Sequence, residues 1–552
     1  MIQSVLKSLD GPESPTETEI RTRLRSRNID QFLTLFDSHW YDLADRFAPE
    51  VLRAVEEIPA KVFDTHPRLL HAVLLSQHRI SYTEGDHQRL GQTLQFQVVA
   101  GQRYAQRLAS FSQPGDLIAA GAAAIASGRI RGDHDGAEQI GAWTDAHVKV
   151  RTALPLLPWT AARAAARPGW LSAERGLTAM LAGSLDQATR LFTRAYAEAG
   201  EPPYAHYAGA NAASNLALLG AYRGQVDLAR TWLGVLESSR PLPDWIRHLN
   251  TFGATVARSL IAIDEGDPTT ALALLDRIGP ATLDLELWPF AAFANASYEA
   301  HFGDPHKGLR ALDTARQQHG VLRPDPTTMT GELVLRAEAK LLLRVGAGTR
   351  VLHLADRNAE VDSLMLFAAW AHLLAGEHHE ATRLSSDALQ HHDLPVNDLV
   401  GHHLVQAVAS LRTGRPDRAG TLFLSAIRLR STPAHVSPFL ALRNEELDEL
   451  SRIAGVASPL RNAAADTRHN TPPPSRLVHL TPREREVLRA LSTGQTAEQA
   501  AAQFGVSVTT VRSQIRKIYQ KLGVSRRQEA LAKAQYLGLL RAPRYSPRGR
   551  AG

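Results

Sequence analysis

Apolar positions recur with a helical period along almost the whole chain, most regularly between Leu480 and Leu540. There Val508, Val511, Ile515, Ile518 and Leu522 step by three and four residues and make one apolar stripe. The opposite face carries Thr509, Arg512, Ser513, Arg516, Lys517 and Gln520, with Lys521 near its edge, and no acidic residue occurs between Ala500 and Glu529. The punctuation predicts four short helices. Thr481-Pro482-Arg483-Glu484 supplies a cap, a proline at the first helical position and a glutamate that bonds back to the cap. Thr496 with Gln499, and Ser525 with Gln528, repeat that box at the second and fourth helices. Gly494, Gly505 and Gly523 stand where the first three helices should stop.

Upstream, alanine- and leucine-rich helical patterns run from about Pro59 to Val456 without any strand-like alternation. A small residue recurs five positions after a glycine: Ala188, Ala229, Ala271, Gly308, Ala381 and Ala419. Twelve residues before these anchors stand Gly176, Ala217, Ser259, Ala296, Ala369 and Ala407, all small. Four after come Phe192, Leu233, Leu275, Leu312, Ser385 and Phe423. Such a unit reads as a helical hairpin: small residues let its two helices approach, glycine makes the turn, and the larger side chain packs onward. A degraded copy is expected at Val351, with another near Ala137. The pattern resembles tetratricopeptide repeats, although neighbouring anchors lie 41, 42, 37 and 38 residues apart, somewhat longer than that family's usual spacing. The bland alternative is that any Ala/Leu-rich helical protein shows such coincidences. Trp170, Trp232, Trp288 and Trp370 either line a concave surface or simply pack. Residues before Pro59 are charged and weakly periodic, with Gln31 to Phe36 their most apolar part, and helices are expected there too.

Ser458 to Arg476 includes Pro472-Pro473-Pro474, which cannot continue a helix and predicts an extended, semi-rigid spacer. The expected organisation is therefore all-α. An N-terminal helical segment (1–58) precedes a repeat solenoid (59–456), a Pro-rich linker (457–476), a four-helix domain (477–541) and a basic tail (542–552).

Within the four-helix domain, Gly505-Val506-Ser507 has the length of a helix-turn-helix joint, and Ala501 is small enough for the third helix to cross closely. At this point the segment resembles the DNA-binding domain of LuxR-type regulators. Leu480, Thr481, Arg483, Glu484, Glu486, Val487, Leu488, Gly494, Ser507, Thr510, Val511 and Lys521-Leu522-Gly523-Val524 fit that family's pattern. Ala500, Gln495 and Gln514 depart from it, and Phe504, larger than the usual leucine, is placed to refill the space that Ala500 leaves. The resemblance implies a partner in double-stranded DNA and pairing as a homodimer through the fourth helix, around Leu531, Ala534 and Leu537. The polar third-helix face suits the major groove, where arginine bonds both acceptors of a guanine edge. Thr509, Arg512, Ser513 and Arg516 are expected at base edges. Lys517, Lys521, Thr481 and Ser507 are expected mainly at phosphates, and Thr510 joins the interface through the family motif.

Charge supports this division. From Arg476 onward the chain holds 15 Lys and Arg against 4 Asp and Glu, a net of +11, whereas residues 1–475 carry −5 of the chain's +6. A basic module on a mildly acidic body is the footprint of phosphate binding. At 552 residues the chain exceeds a single compact core, and 44% hydrophobic content with a mean hydropathy of −0.21 describes a soluble protein. Without cysteine it has no disulfides or thiolate ligands, which suits a cytoplasmic protein. No secretory signal or membrane span is expected.

Large LuxR-type regulators with helical-repeat bodies often carry an ATP-binding domain, but no Gly-Lys pair occurs here for a phosphate loop. No Gly-x-Ser-x-Gly or His-Glu-x-x-His motif occurs either, so no enzyme and no cofactor is expected. His378-His379, His391-His392 and His402-His403 point about 100° apart within each pair; they read as solvated surface histidines, with no metal site. The sequence thus predicts a DNA-binding transcriptional regulator whose body senses an unidentified ligand or protein partner. The alternative is a helical-repeat scaffold whose basic domain binds nucleic acid without sequence preference.

Overall fold

The computed structural model describes all residues except 1–16, 26–27, 57, 86, 153–166, 200–206, 239–241, 279–285, 322–323, 391–393, 462–471, 476 and 541–552. The basic tail and most of the linker therefore lie outside the described residues. Among those described, the secondary structure is helical throughout, without strands. The chain forms two compact units. One comprises residues 1–219, 229–254 and 284–286; the other comprises 220–228, 255–283 and 287–552.

In the first unit, helices Ile29–Arg46 and Ala48–Glu56 pack with Pro67–Glu84, and Glu17–Arg25 packs on both of the former. Phe32, Leu33, Leu35 and Phe36, the apolar run of the charged N-terminal stretch, are all buried with Leu69, Ala72, Val73 and Trp245. This core runs across residue 58, so packing does not break there. The helix Pro114–Ile130 is small and apolar around most of its circumference and is buried nearly all round, as such a composition demands. It crosses His87–Ala105 so closely that Gly101 has no room for a side chain against the Ala123 carbonyl. Arg129, almost fully buried, stays charged because Glu174 (2.9 Å) and Glu286 (2.7 Å) compensate it.

The anchor positions sit where hairpin packing requires. Ala188, Ala229, Ala271, Ala381 and Ala419 have no exposed surface, and Val351 and Ala137 are equally buried. At Gly176 a Cβ would fall 2.9 Å from the Phe192 ring, so the small residue and the large one meet across one hairpin. Gly183, Gly224, Gly266, Gly376 and Gly414 take φ between +71° and +84°, where a side chain is strained. Gly303 differs: its φ is not in that region. Asp304 instead opens the helix Pro305–Gln318, its carboxylate accepting from His306 N–H. Trp170, Trp288 and Trp370 are buried, and Trp232 is half-buried edge-on to Tyr196.

The second unit continues as helical hairpins from Pro268–Ile278 to Pro416–Arg428 and closes on Asn444–Ala454. From Met329–Arg344 onward one core links them, including Leu335, Phe367, Ala369, Leu404, Phe423 and Phe439. In its middle Arg336 forms a bidentate pair with Asp398 (2.6 and 2.8 Å), both nearly without exposure. Its guanidinium also lies within 5.9 Å of the ring centroids of Tyr222, Phe293 and Phe367.

One sequence expectation changes here. The histidine pairs are not uniformly solvated: His402 is completely buried, His378 and His403 are half-buried, and only His379 is exposed. His391 and His392 lie outside the described residues. His402 is buried because its helix, Val396–Arg412, is packed on nearly all sides, which adjacent histidines in a one-dimensional pattern do not reveal. Among the described residues, no three His, Asp or Glu side chains cluster as metal ligands.

The proline segment is anchored at its end: Ser475 N–H donates to Leu374 O (3.2 Å) and its hydroxyl donates to Gly346 O (2.9 Å). The same hydroxyl accepts from Gly348 N–H (3.0 Å).

Burial pushes the imidazoles of His402 and His78 down to about 4. The unfolded chain takes up these protons near pH 6.5, so stability present above that value is lost as pH falls from 6.5 towards 4. For His402 the expected slope is about 1.4 kcal/mol per pH unit. Urea midpoints measured across this window check it, and a midpoint unchanged between pH 6.5 and 4.5 would contradict it.

Candidate nucleic-acid interface

The four helices of the C-terminal domain are Pro482–Ser492, Ala497–Phe504, Val508–Leu522 and Arg527–Tyr536. The first two open with the expected capping boxes: Thr481 Oγ1 accepts from Glu484 N–H, and Thr496 Oγ1 from Gln499 N–H, each with the side chain returning the bond. The fourth does not use Ser525 with Gln528. It begins one residue later, and Glu529 accepts from the backbone N–H groups of Ser525 (3.2 Å) and Arg526 (3.3 Å). A carboxylate accepts better than an amide beside a helix N-terminus, which favours this register.

Gly505 and Gly523 end the second and third helices in the left-handed conformation. Ser507 caps the third helix, accepting from Thr510 N–H at 3.1 Å. The apolar stripe turns inward: Val511, Ile518 and Leu522 are buried, and Val508 and Ile515 pack on the same core. Ala500 and Ala501 are buried beneath them, so the joint is tight. Arg483 supports it from outside, donating to Phe504 O (3.1 Å) and stacking 4.4 Å from the Phe504 ring centroid.

With the stripe buried, the helix presents Thr509, Thr510, Arg512, Ser513, Arg516 and Lys517 to solvent on its outer side. Thr481 and Ser507 are exposed as well, but their hydroxyls already accept from their own helices. Lys521 stands apart from the exposed group. It is half-buried and its Nζ lies 2.6 Å from Glu484 Oε2, on a side chain only 5% exposed. Burial works against that carboxylate, but the Lys521 and Thr481 bonds outweigh it and hold its pKa below the usual range. Lys521 is thus first a counter-ion for Glu484, a role that sequence spacing of 37 residues conceals.

A second missed pairing touches the outer face itself. Arg512 bonds Glu498 of the preceding helix at 2.7 Å, with both side chains exposed. The acid-free run between Ala500 and Glu529 is real, yet the turn folds an acid from just outside that run onto its central arginine. A DNA phosphate or base edge competes with Glu498 for Arg512. Glu498→Gln is therefore expected to tighten DNA binding by roughly two- to fivefold, in line with an exposed ion pair. Titration of fluorescent duplex measures this, and weaker binding would mean that Glu498 positions Arg512 productively.

Of the residues expected to pair two copies, Ala534 and Leu537 are buried in the domain's own core, and Leu531 packs against it while staying partly exposed. Tyr536, on the same helix, is 61% exposed. The domain is also bonded to the helical body within its unit. Val478 N–H donates to Thr349 Oγ1 (3.0 Å), and Glu377 sits between His372 (2.7 Å) and His479 (2.8 Å). Arg350 lies over the Tyr536 ring. No helix among the described residues is long and apolar enough to cross a membrane.

Residues 478–534 match the family model described as bacterial regulatory proteins, luxR family. Among curated proteins, the HTH-type transcriptional regulator MalT of Serratia proteamaculans (strain 568) is 42% identical over 71 residues. That alignment covers 13% of this chain and 8% of the relative, so the likeness is confined to the C-terminal domain. No solved structure gives a significant match. The exposed threonine, serine and arginine of the third helix, the tight joint and the family match agree: residues 478–534 are a LuxR-family helix-turn-helix DNA-binding domain.

Proposed function

We propose that this chain is a sequence-specific transcriptional regulator of the cytoplasm, acting on DNA as a homodimer, with a helical body that receives a ligand or a protein partner. The observation that carries the reading is the third helix of the C-terminal domain. Its outer face exposes Thr509, Arg512, Ser513, Arg516 and Lys517 together, free of acidic residues of its own. Threonine, serine and arginine at one-turn spacing suit base edges, and the lysine suits phosphate. A non-specific nucleic-acid binder needs the charge but not this mixture. The name of the matched relative, a transcriptional regulator, supports the reading for the shared domain only. Regulation by the body is favoured because Ser475, Val478 and His479 tie the segment entering the domain to helices of the repeat.

Genome-wide occupancy of the tagged protein tests the proposal. Reproducible sites near transcription starts, lost in Arg512→Ala, are expected. Diffuse occupancy that survives the substitution would favour the scaffold reading.

A further inference from the structure

A cavity of about 110 Å³ lies inside the second unit, between the helices Trp288–His301, Met329–Arg344, Leu364–Leu374 and Val396–Arg412. One helix supplies three of its cations, Arg336, Lys340 and Arg344, spaced by four residues and so aligned on one face. Two carboxylates line the same space, and both are occupied. Asp398 is held by Arg336, and Asp264 accepts from Ser437 Oγ (2.5 Å) and Asn397 Nδ2 (3.2 Å). Lys340 bonds Ser297 Oγ (3.0 Å) and lies 5.0 Å from the Phe293 centroid. No carboxylate of the described residues is within ion-pair distance of it. Arg344 bonds Nδ1 of His301, which burial and the Arg344 charge keep neutral.

Burying a cation without a counter-ion is costly, and folding alone would favour an apolar side chain at position 340. Burial accordingly pulls Lys340 down to about 8 and Arg344 to about 10. The rest of the wall is apolar, chiefly Phe293, Leu366, Phe367 and Trp370. The volume equals roughly four water molecules at about 30 Å³ each.

We propose that this cavity binds a small organic monocarboxylate, its carboxylate held by Lys340 and Arg344 and its carbon skeleton resting on Phe367 and Trp370. The Lys340 ammonium, which no carboxylate of the described residues contacts, calls for an anion, and the cavity admits only a few carbons. Pro472 forms part of the wall. Three residues later Ser475 is bonded to Gly346, Gly348 and Leu374, so an occupant touches the segment that enters the DNA-binding domain. The inference deepens the proposed role of the body as a receiver and rests on that reading for its purpose, though not for the binding itself.

The test titrates full-length protein with acetate, propionate, butyrate and pyruvate, with propionamide and inorganic phosphate as comparisons. Tryptophan fluorescence and thermal unfolding are read, and DNA affinity is measured separately on anion-free protein. At least one carboxylate should bind saturably and raise the unfolding temperature, while propionamide should not. Lys340→Met should weaken that binding at least tenfold, and Lys340→Arg should largely retain it. Without any anion, Lys340→Met should raise the unfolding temperature, the reverse of what a purely structural lysine would do. Absence of saturable binding by every carboxylate, equal binding of propionamide, or binding of phosphate alone would each overturn the proposal. Because DNA affinity is read on its own, such a failure leaves the regulator reading standing, and loss of DNA binding would leave the anion site standing.

Discussion

Asp398→Ala is expected to destabilise the second unit by about 3–5 kcal/mol, the usual cost of stripping one partner from a buried ion pair. Arg336 is 3% exposed and holds Asp398 through its two terminal guanidinium nitrogens, while its Nε has no hydrogen-bond partner among the described residues. Removing the carboxylate leaves a guanidinium that cannot deprotonate, surrounded by Tyr222, Phe293 and Phe367. Glu332, at 3.8 Å, is too weakly placed to substitute. Replacing both members, as in Arg336→Met with Asp398→Leu, should recover much of the loss, because an apolar pair of similar size suits the same core. Urea unfolding of the two variants measures the difference. Equal destabilisation by the single and the double change would mean that the pair matters for shape rather than charge.

Arg512→Ala is expected to cost about 1–3 kcal/mol of specific DNA binding and to relax preference at one base position. Arg512 is central to the exposed face, and its bond to Glu498 is solvent-exposed and weak enough for DNA to displace. Lys517→Ala, in contrast, should weaken all sequences alike and reduce the salt dependence by about one unit of slope. Competition titrations on specific and scrambled duplexes separate the two effects. A loss of equal size on both duplexes for Arg512→Ala would place this arginine on the backbone.

The C-terminal domain was legible because its signals are local. Caps, turn glycines and a stripe with a period near 3.6 all act within one helix or one turn, and Thr481, Thr496, Gly505 and Val511 do what their neighbours imply. The small anchors of the body were legible for a related reason: a residue crossing a helix pair has to be small wherever it falls in the sequence. What escaped was tertiary. Glu498 reaches Arg512, Glu484 reaches Lys521, and Glu377 reaches His479, each across a separation that no periodicity encodes. His402 looked like half of a surface pair because adjacency says nothing about how many helices surround a position. The fourth helix departs from expectation at its start, where Glu529 outcompetes Gln528 by charge.

The central claim is that the exposed third-helix face reads DNA sequence, and binding-site selection from random duplexes with the full-length protein tests it most directly. Repeated across salt concentrations, selection should enrich one motif, arranged as an inverted repeat if two copies bind, and the enrichment should persist while overall affinity falls with salt. Binding without any enriched motif, collapsing as salt rises, would show that charge alone is at work and contradict the account.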